Sequence, residues 1–289
     1  MSVDIGYRSL LWWLISLSII ALTVASWGHS TRISPPKIAV SDTNVELTRI
    51  RIIDTTPRKL FDTLTSKYQS HNIPNLYLPG TEGNSSNNEF GDVDYQYRNN
   101  SYYVVNTKSK QIEAFERHGD VFQRRVVYRG TSSNVRGIAV NWINGDVYWT
   151  DSSYNMIFMT AGKGNTPSRH VAVISNDVDN PSGIALHVNK GLMFWLDTHR
   201  LQVASLDGRN RSTLLDNVTA PSSLSISYPG NRLYWIDWTS GSSVIVSCDL
   251  QGQRWKVITS FPNRRLFDLD VFEVSKKKEK KKRKKKEFD

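Results

Sequence analysis

Three aspartates recur at one register, Asp151, Asp197 and Asp237, each closing a tetrad with a tryptophan two positions earlier. A carboxylate can act as a general acid or base, hold a hard cation, or close a turn by accepting backbone N–H bonds. Recurrence separates these roles. A catalytic or metal-binding group is needed once, whereas these three occupy equivalent places in successive repeats. They are therefore expected to be architectural, closing strands by accepting N–H bonds from the residues that follow. Single-copy acids such as Asp177 and Asp179 read as solvated loop residues. The six histidines, at 29, 71, 118, 170, 187 and 199, show no ligand spacing such as His-x-x-x-His. There is no nucleophile elbow, P-loop or dinucleotide fingerprint. The single cysteine, Cys248, excludes an intramolecular disulfide and a Cys-based zinc site, and beside Val244, Ile245 and Val246 it reads as a packing residue. No catalytic residue, metal ligand or cofactor is expected.

The elements that carry these aspartates are legible from the spacing. The tetrads are Tyr148, Trp149, Thr150, Asp151; Phe194, Trp195, Leu196, Asp197; and Tyr234, Trp235, Ile236, Asp237. Twelve residues before each tryptophan an apolar run begins, at Gly137, Gly183 and Ser223. A constant offset implies a repeating unit of one strand, a tight connection and a second strand ending in the tetrad. The tryptophans stand 46 and 40 residues apart, the length of one four-stranded propeller blade. A degraded copy opens at Asp92, with Val104 at the tryptophan position and Asn106 at the aspartate position. Strands are predicted at 93–95, 103–106, 111–115 and 125–128; from Gly137, then 147–150, 156–159 and 171–174; from Gly183, then 192–196, 202–206 and 212–215; and from Ser223, then 232–236, 244–250 and 256–259. Since both faces of a blade pack on neighbours, side-chain alternation places Tyr148 and Thr150 toward one neighbour and Trp149 and Asp151 toward the other.

Asp268, Leu269, Asp270 and Val271 repeat the opening of the first of these units, yet Lys280 falls where the next tryptophan belongs. Residues 275–289 form a Lys-rich low-complexity tail that reads as an incomplete or misjoined chain end, the alternative being a nuclear-localisation or anionic-surface tail. Its stretch from Lys276 to Asp289 holds ten Lys/Arg and three acids, or +7 of the formal +10. The rest of the chain is then only +3, which does not support a nucleic-acid-reading body. At the other end, Leu10 to Trp27 is uncharged and apolar or small throughout. Residues 1–28 are read as a cleaved signal peptide or an uncleaved anchor, in either case a hydrophobic helix, which would tie the chain to a membrane if retained. Residues 29–91 read as a linker or a divergent blade, with Pro35 and Pro36 in a linker, a strand over 45–53 and a polar loop over 80–88. Residues 92–274 hold the blades.

On the three tetrads, the Gly-Ile-Ala-Val and Gly-Ile-Ala-Leu openings at Gly137 and Gly183, and Ser205-Leu206-Asp207-Gly208 with its counterpart Cys248 to Gly252, residues 92 to 272 resemble the YWTD, or class B, repeats of the low-density lipoprotein receptor family. The resemblance implies an all-β, six-bladed YWTD propeller, of which about four blades are recognisable, preceded by the hydrophobic helix. It also implies an extracellular protein-binding module without enzymatic activity, serving endocytosis or Wnt signalling in some members. A six-bladed propeller hydrolase of lactonase type is the alternative, and would need unique carboxylates converging at the channel mouth; the repeat shows no such cluster. An intracellular scaffold is a third reading. Secretion would make glycosylation acceptors of Asn84, Asn99, Asn210 and Asn217, which satisfy N-x-[ST]. Chain topology gathers 152–155, 198–200 and 238–242 on one face with 129–135, 176–182 and 216–222. Tyr154, His199 and Trp238 break the repeat there and are the candidate contacts for an extracellular protein partner.

Overall fold

The computed structural model describes residues 17–22, 37–44, 47–54, 76–77, 90–96, 98–118, 121–162, 170–228, 230–263, 265–266 and 268–271. Apart from a 3-10 turn at Val188–Lys190, their regular structure is β. Four consecutive meanders follow the predicted order. The first is β5 (Phe90–Gln96), β6 (Ser101–Asn106), β7 (Gln111–His118) and β8 (Val121–Arg129); the second is β9 (Val135–Val140), β10 (Val147–Asp151), β11 (Met156–Thr160) and β12 (His170–Ile174). The third is β13 (Ile184–His187), β14 (Leu192–Leu196), β15 (Leu201–Ser205) and β16 (Ser212–Leu215); the fourth is β17 (Pro221–Ser227), β18 (Arg232–Thr239), β19 (Ser242–Asp249) and β20 (Lys256–Pro262). Ahead of them, β1 (Leu17–Leu22), β2 (Lys37–Asn44), β3 (Leu47–Asp54) and β4 (Leu76–Tyr77) form another antiparallel four-stranded sheet that meets β5.

That sheet corrects the expectation of an N-terminal helix, because Leu17–Leu22 is extended and pairs along β2 from Leu17 opposite Asp42 to Leu22 opposite Lys37. A short apolar run has no periodicity that separates helix from buried strand, and pairing with a neighbouring strand decides between them. The remainder of the apolar segment, Pro35 and Pro36, the loop over 80–88 with Asn84, and the Lys-rich tail lie outside the described residues. Among the described residues, no helix is long and apolar enough to cross a membrane.

One register unites the four later sheets. Val104 pairs with Val93, Trp149 with Ile138, Trp195 with Ile184 and Trp235 with Leu224. Alternation about this register builds the cores between sheets. Trp149 packs with Tyr103, Val105, Ile112 and Val127 of the preceding blade, while Tyr148 packs with Ile184, Met193 and Trp195 of the following one. Phe194 and Trp235 then share the next core with Leu224, Ile226 and Cys248. The aromatic at the first tetrad position thus fills the gap ahead and the tryptophan the gap behind. Trp149, Trp195 and Trp235 are almost fully buried, yet each indole N–H lacks a hydrogen-bond partner, so their contribution is packing rather than hydrogen bonding.

The first strands adjoin in sequence, β5 with β9, β9 with β13 and β13 with β17. This crowding explains Gly137 and Gly183. A Cβ on Gly137 would lie 2.7 Å from the Ser182 carbonyl oxygen, and one on Gly183 would lie 2.5 Å from the Leu224 nitrogen. The equivalent positions in the first and fourth blades are Asp92 and Ser223, where a polar side chain meets the neighbour instead of hydrogen.

Candidate partner-binding face

In the second, third and fourth blades, at the end where the second strand turns into the third, the tetrad aspartate secures the loops. Asp151 accepts hydrogen bonds from the Ser132 amide at 3.0 Å and hydroxyl at 2.6 Å, and from the amides of Ser153 at 3.1 Å and Tyr154 at 3.4 Å. Its carboxylate therefore joins the turn that follows it to the loop leading into its own blade. Ser152 reinforces the join, donating its amide to the Asn134 carbonyl at 3.1 Å. Asn155 extends it to the next blade by accepting from the Asn180 amide at 2.9 Å.

The other two aspartates depart from the expected bonding to the following amides. Asp237 accepts from the amides of Ala220 at 2.7 Å and Thr219 at 3.2 Å, both in the preceding loop. Asp197 instead holds a side-chain lock: Arg200 donates through Nε at 3.1 Å and Nη2 at 2.9 Å, and Gln202 donates to the same carboxylate. The reason is local, since Arg200 supplies a planar fork that matches both carboxylate oxygens. Hydrogen bonding to Asp197 raises the Arg200 guanidinium above its ordinary pKa. Arg200 also reaches Asp177 at 3.2 Å, and Arg211 donates to the carbonyls of Asn176 and Asp177 while its Nε bonds Gln202 at 2.8 Å. Asp177, read from sequence as a solvated loop acid, is thus exposed but tied down by two arginines. Neither arginine is marked by the repeat, so sequence spacing gives no signal for this lock.

The three candidate contacts are disposed differently. Tyr154 is 53% exposed, with its ring edge-on to Phe158 at 6.0 Å. His199 is exposed, with Nδ1 3.1 Å from the carbonyls of Val218 and Thr219. Trp238 is half-buried, with the Arg265 guanidinium 5.8 Å over its ring. It also corrects the predicted loop over 238–242: β18 runs through Thr239, Trp238 pairs with Ser243, and the turn is confined to Ser240 and Gly241. Of the acceptor asparagines, Asn217 is exposed in the loop before β17 on this same face. Asn210 is exposed and Asn99 half-buried, in turns at the opposite ends of their blades, where Asn210 Nδ2 donates to Ser205 at 3.2 Å and Asn99 to Gln96 at 3.1 Å.

The structure also brings together carboxylates that the repeat did not reveal. Asp92 and Asp94 on β5 accept from the amides of Ile138 at 2.8 Å and Val140 at 2.7 Å, and both are half-buried beside β9. Asp268 and Asp270 take hydroxyl hydrogen bonds from Ser223 and Ser225 of β17. The signal was present as two Asp-x-Asp pairs at one register. Among the described residues, no group of three or more His, Cys, Asp or Glu side chains is arranged to hold a metal ion.

Successive antiparallel meanders, joined first strand to first strand and packed through recurring tetrads, define a β-propeller of the YWTD class. Residues 145–188 match the family described as low-density lipoprotein receptor repeat class B. The vitellogenin receptor of Solenopsis invicta is 30% identical over 143 residues, covering 48% of this chain and 8% of the receptor. The low-density lipoprotein receptor-related protein 5-like protein of Homo sapiens is 30% identical over 116 residues, covering 39% of this chain and 45% of that protein. A chain in the crystal structure of a nidogen/laminin complex is similar with a TM-score of 0.47 and 23% identity, over 53% of this chain and 59% of its own. This chain therefore spans less than half the length of these two curated relatives. It carries the class B (YWTD) repeat of the low-density lipoprotein receptor family.

Proposed function

We propose that this chain is a non-enzymatic protein-binding module of low-density lipoprotein receptor-like type, extracellular or membrane-tethered, whose protein ligand serves endocytosis or signalling. The observation that carries the reading is the face just described: Tyr154 and His199 stand exposed in turns and Trp238 half-buried near the end of β18, beside loops secured by Asp151, Asp197 and Asp237. Rigidly held loops with aromatic side chains lose little entropy on binding, which suits them as anchors. The receptors among its relatives support the same reading. The test replaces Tyr154, His199 and Trp238 by Ala and measures capture of secreted and cell-surface proteins, with melting as a control for Trp238. Capture is expected to fall at least tenfold, and Tyr154→Ala alone, at the most exposed of the three, to lower it without shifting the melt. Survival of capture in the triple variant, with loss when the opposite loops near Asn144 and Asn189 are altered, removes this face from the proposal.

Passage through the secretory pathway is part of the same reading, and the exposed sequons at Asn210 and Asn217 are its accessible markers. Protein from secretory cells is expected to lose mass on glycosidase treatment. An unchanged mass together with a cytosolic fraction would reverse the assignment.

A further inference from the structure

The run of first strands carries an Asp-x-Asp pair at each end. On β5, Asp92 and Asp94 reach across to the Ile138 and Val140 amides of the next blade. In the segment 268–271, Asp268 and Asp270 reach back to β17, and the same serines accept from the amides of Leu269 at 2.8 Å and Val271 at 3.0 Å. Ser223 and Ser225 thereby hold this short segment beside β17, in the place where the first strand of a further blade would begin. The two pairs feel one another: Asp268 acts on Asp92, and Asp94 acts on Asp270.

We propose that the two Asp-x-Asp pairs form a proton-linked clasp at the propeller axis, which grips segment 268–271 more firmly as the solution acidifies.

The geometry explains the sign. Burial removes the solvation that an ionised carboxylate needs, and the like charges of the two pairs oppose joint ionisation. Burial, the leading cause, pushes Asp94 and Asp268 up to about 6 and Asp270 up to about 7, and Asp92 is raised by burial and then by Asp268. Folded pKa values above the unfolded value mean that the closed state binds more protons, so its stability rises as pH falls from about 7 through about 6. The opposing groups are few. β17 presents hydroxyls and no titratable side chain, β9 contributes amides and one exposed arginine, Arg136, and the buried phenol of Tyr103 on β6 is itself raised, by burial and in part by Asp94. The sheet β1–β4, which also meets β5, carries Lys37, Asp42, Arg49, Arg51 and Asp54 on its strands.

The test is hydrogen–deuterium exchange of the full chain at pH 7.5 and pH 5.5, corrected for intrinsic exchange. Protection of the Leu269 and Val271 amides is expected to rise about tenfold or more on acidification, the change that uptake of a single proton over this interval would give. The Asp268→Asn/Asp270→Asn variant should lose the pH dependence and be as protected at pH 7.5 as the parent is at pH 5.5. Parent protection that stays level or falls on acidification overturns the clasp, as does a variant that keeps the parent's gain. Should that variant not fold, the parent measurement decides by the same criterion, and the Asp92→Asn/Asp94→Asn variant, whose Asp268 and Asp270 stay raised by their own burial, is expected to gain less protection than the parent; an equal gain overturns the link between the two pairs.

Discussion

At the scale of single residues, the tetrad tryptophans illustrate how packing and hydrogen bonding divide the work. Trp195 is fully buried in the core between the second and third blades, its indole N–H has no partner, and Arg211 lies 5.4 Å over its ring. Truncation to Ala leaves a cavity that a sheet pinned on both sides cannot collapse, so Trp195→Ala is expected to cost about 3–5 kcal/mol in equilibrium unfolding. Trp195→Phe keeps much of the ring and removes the unpaired donor, and should cost about 1–2 kcal/mol. A Trp195→Ala protein that melts with the parent would contradict the packing role. The aspartate two positions later holds its loops by partners that differ from blade to blade, so its type recurs while its bonds do not.

At the scale of elements, the decisive constraint is how closely the first strands approach. Gly183→Ala would force its methyl against the Leu224 backbone at 2.5 Å, where only movement of a whole strand can relieve the contact. A loss of about 1–3 kcal/mol is expected, read as a lowered denaturation midpoint. An Ala variant as stable as the parent would show that the blades can spread at the axis. Register explains what sequence could and could not reveal here. The offset from Gly137 to Trp149 repeats because two paired strands repeat, so the blades from 90 onward could be placed to within a few residues. The strand at Leu17–Leu22 could not, because an apolar run looks alike in helix and sheet and its partner lies in β2. In the two preceding tetrads the strand stops at Asp151 and just before Asp197, yet in the fourth blade Trp238 pairs with Ser243 and the strand runs on. The Arg200–Asp177 lock joins the loop leading into the third blade to a turn of that same blade, and the two Asp-x-Asp pairs come from opposite ends of the run of blades, so neither grouping follows from the repeat spacing.

At the scale of the whole molecule, three of the four apolar cores among the described residues join one blade to the next, and the fourth lies on one face of the first blade, so cohesion is largely a chain of nearest-neighbour interfaces. Such an arrangement can open at one interface while others stay shut. Cys248, the chain's single cysteine, sits fully buried in the core shared by the third and fourth blades. Burial pushes its thiol up to about 12, so hardly any of it is thiolate near neutrality, and a thiol reagent must wait for the interface to part. The chain therefore carries a built-in chemical clock: the rate at which an alkylating probe consumes this sulfur counts openings of one seam between two blades, with no other thiol to confuse the reading.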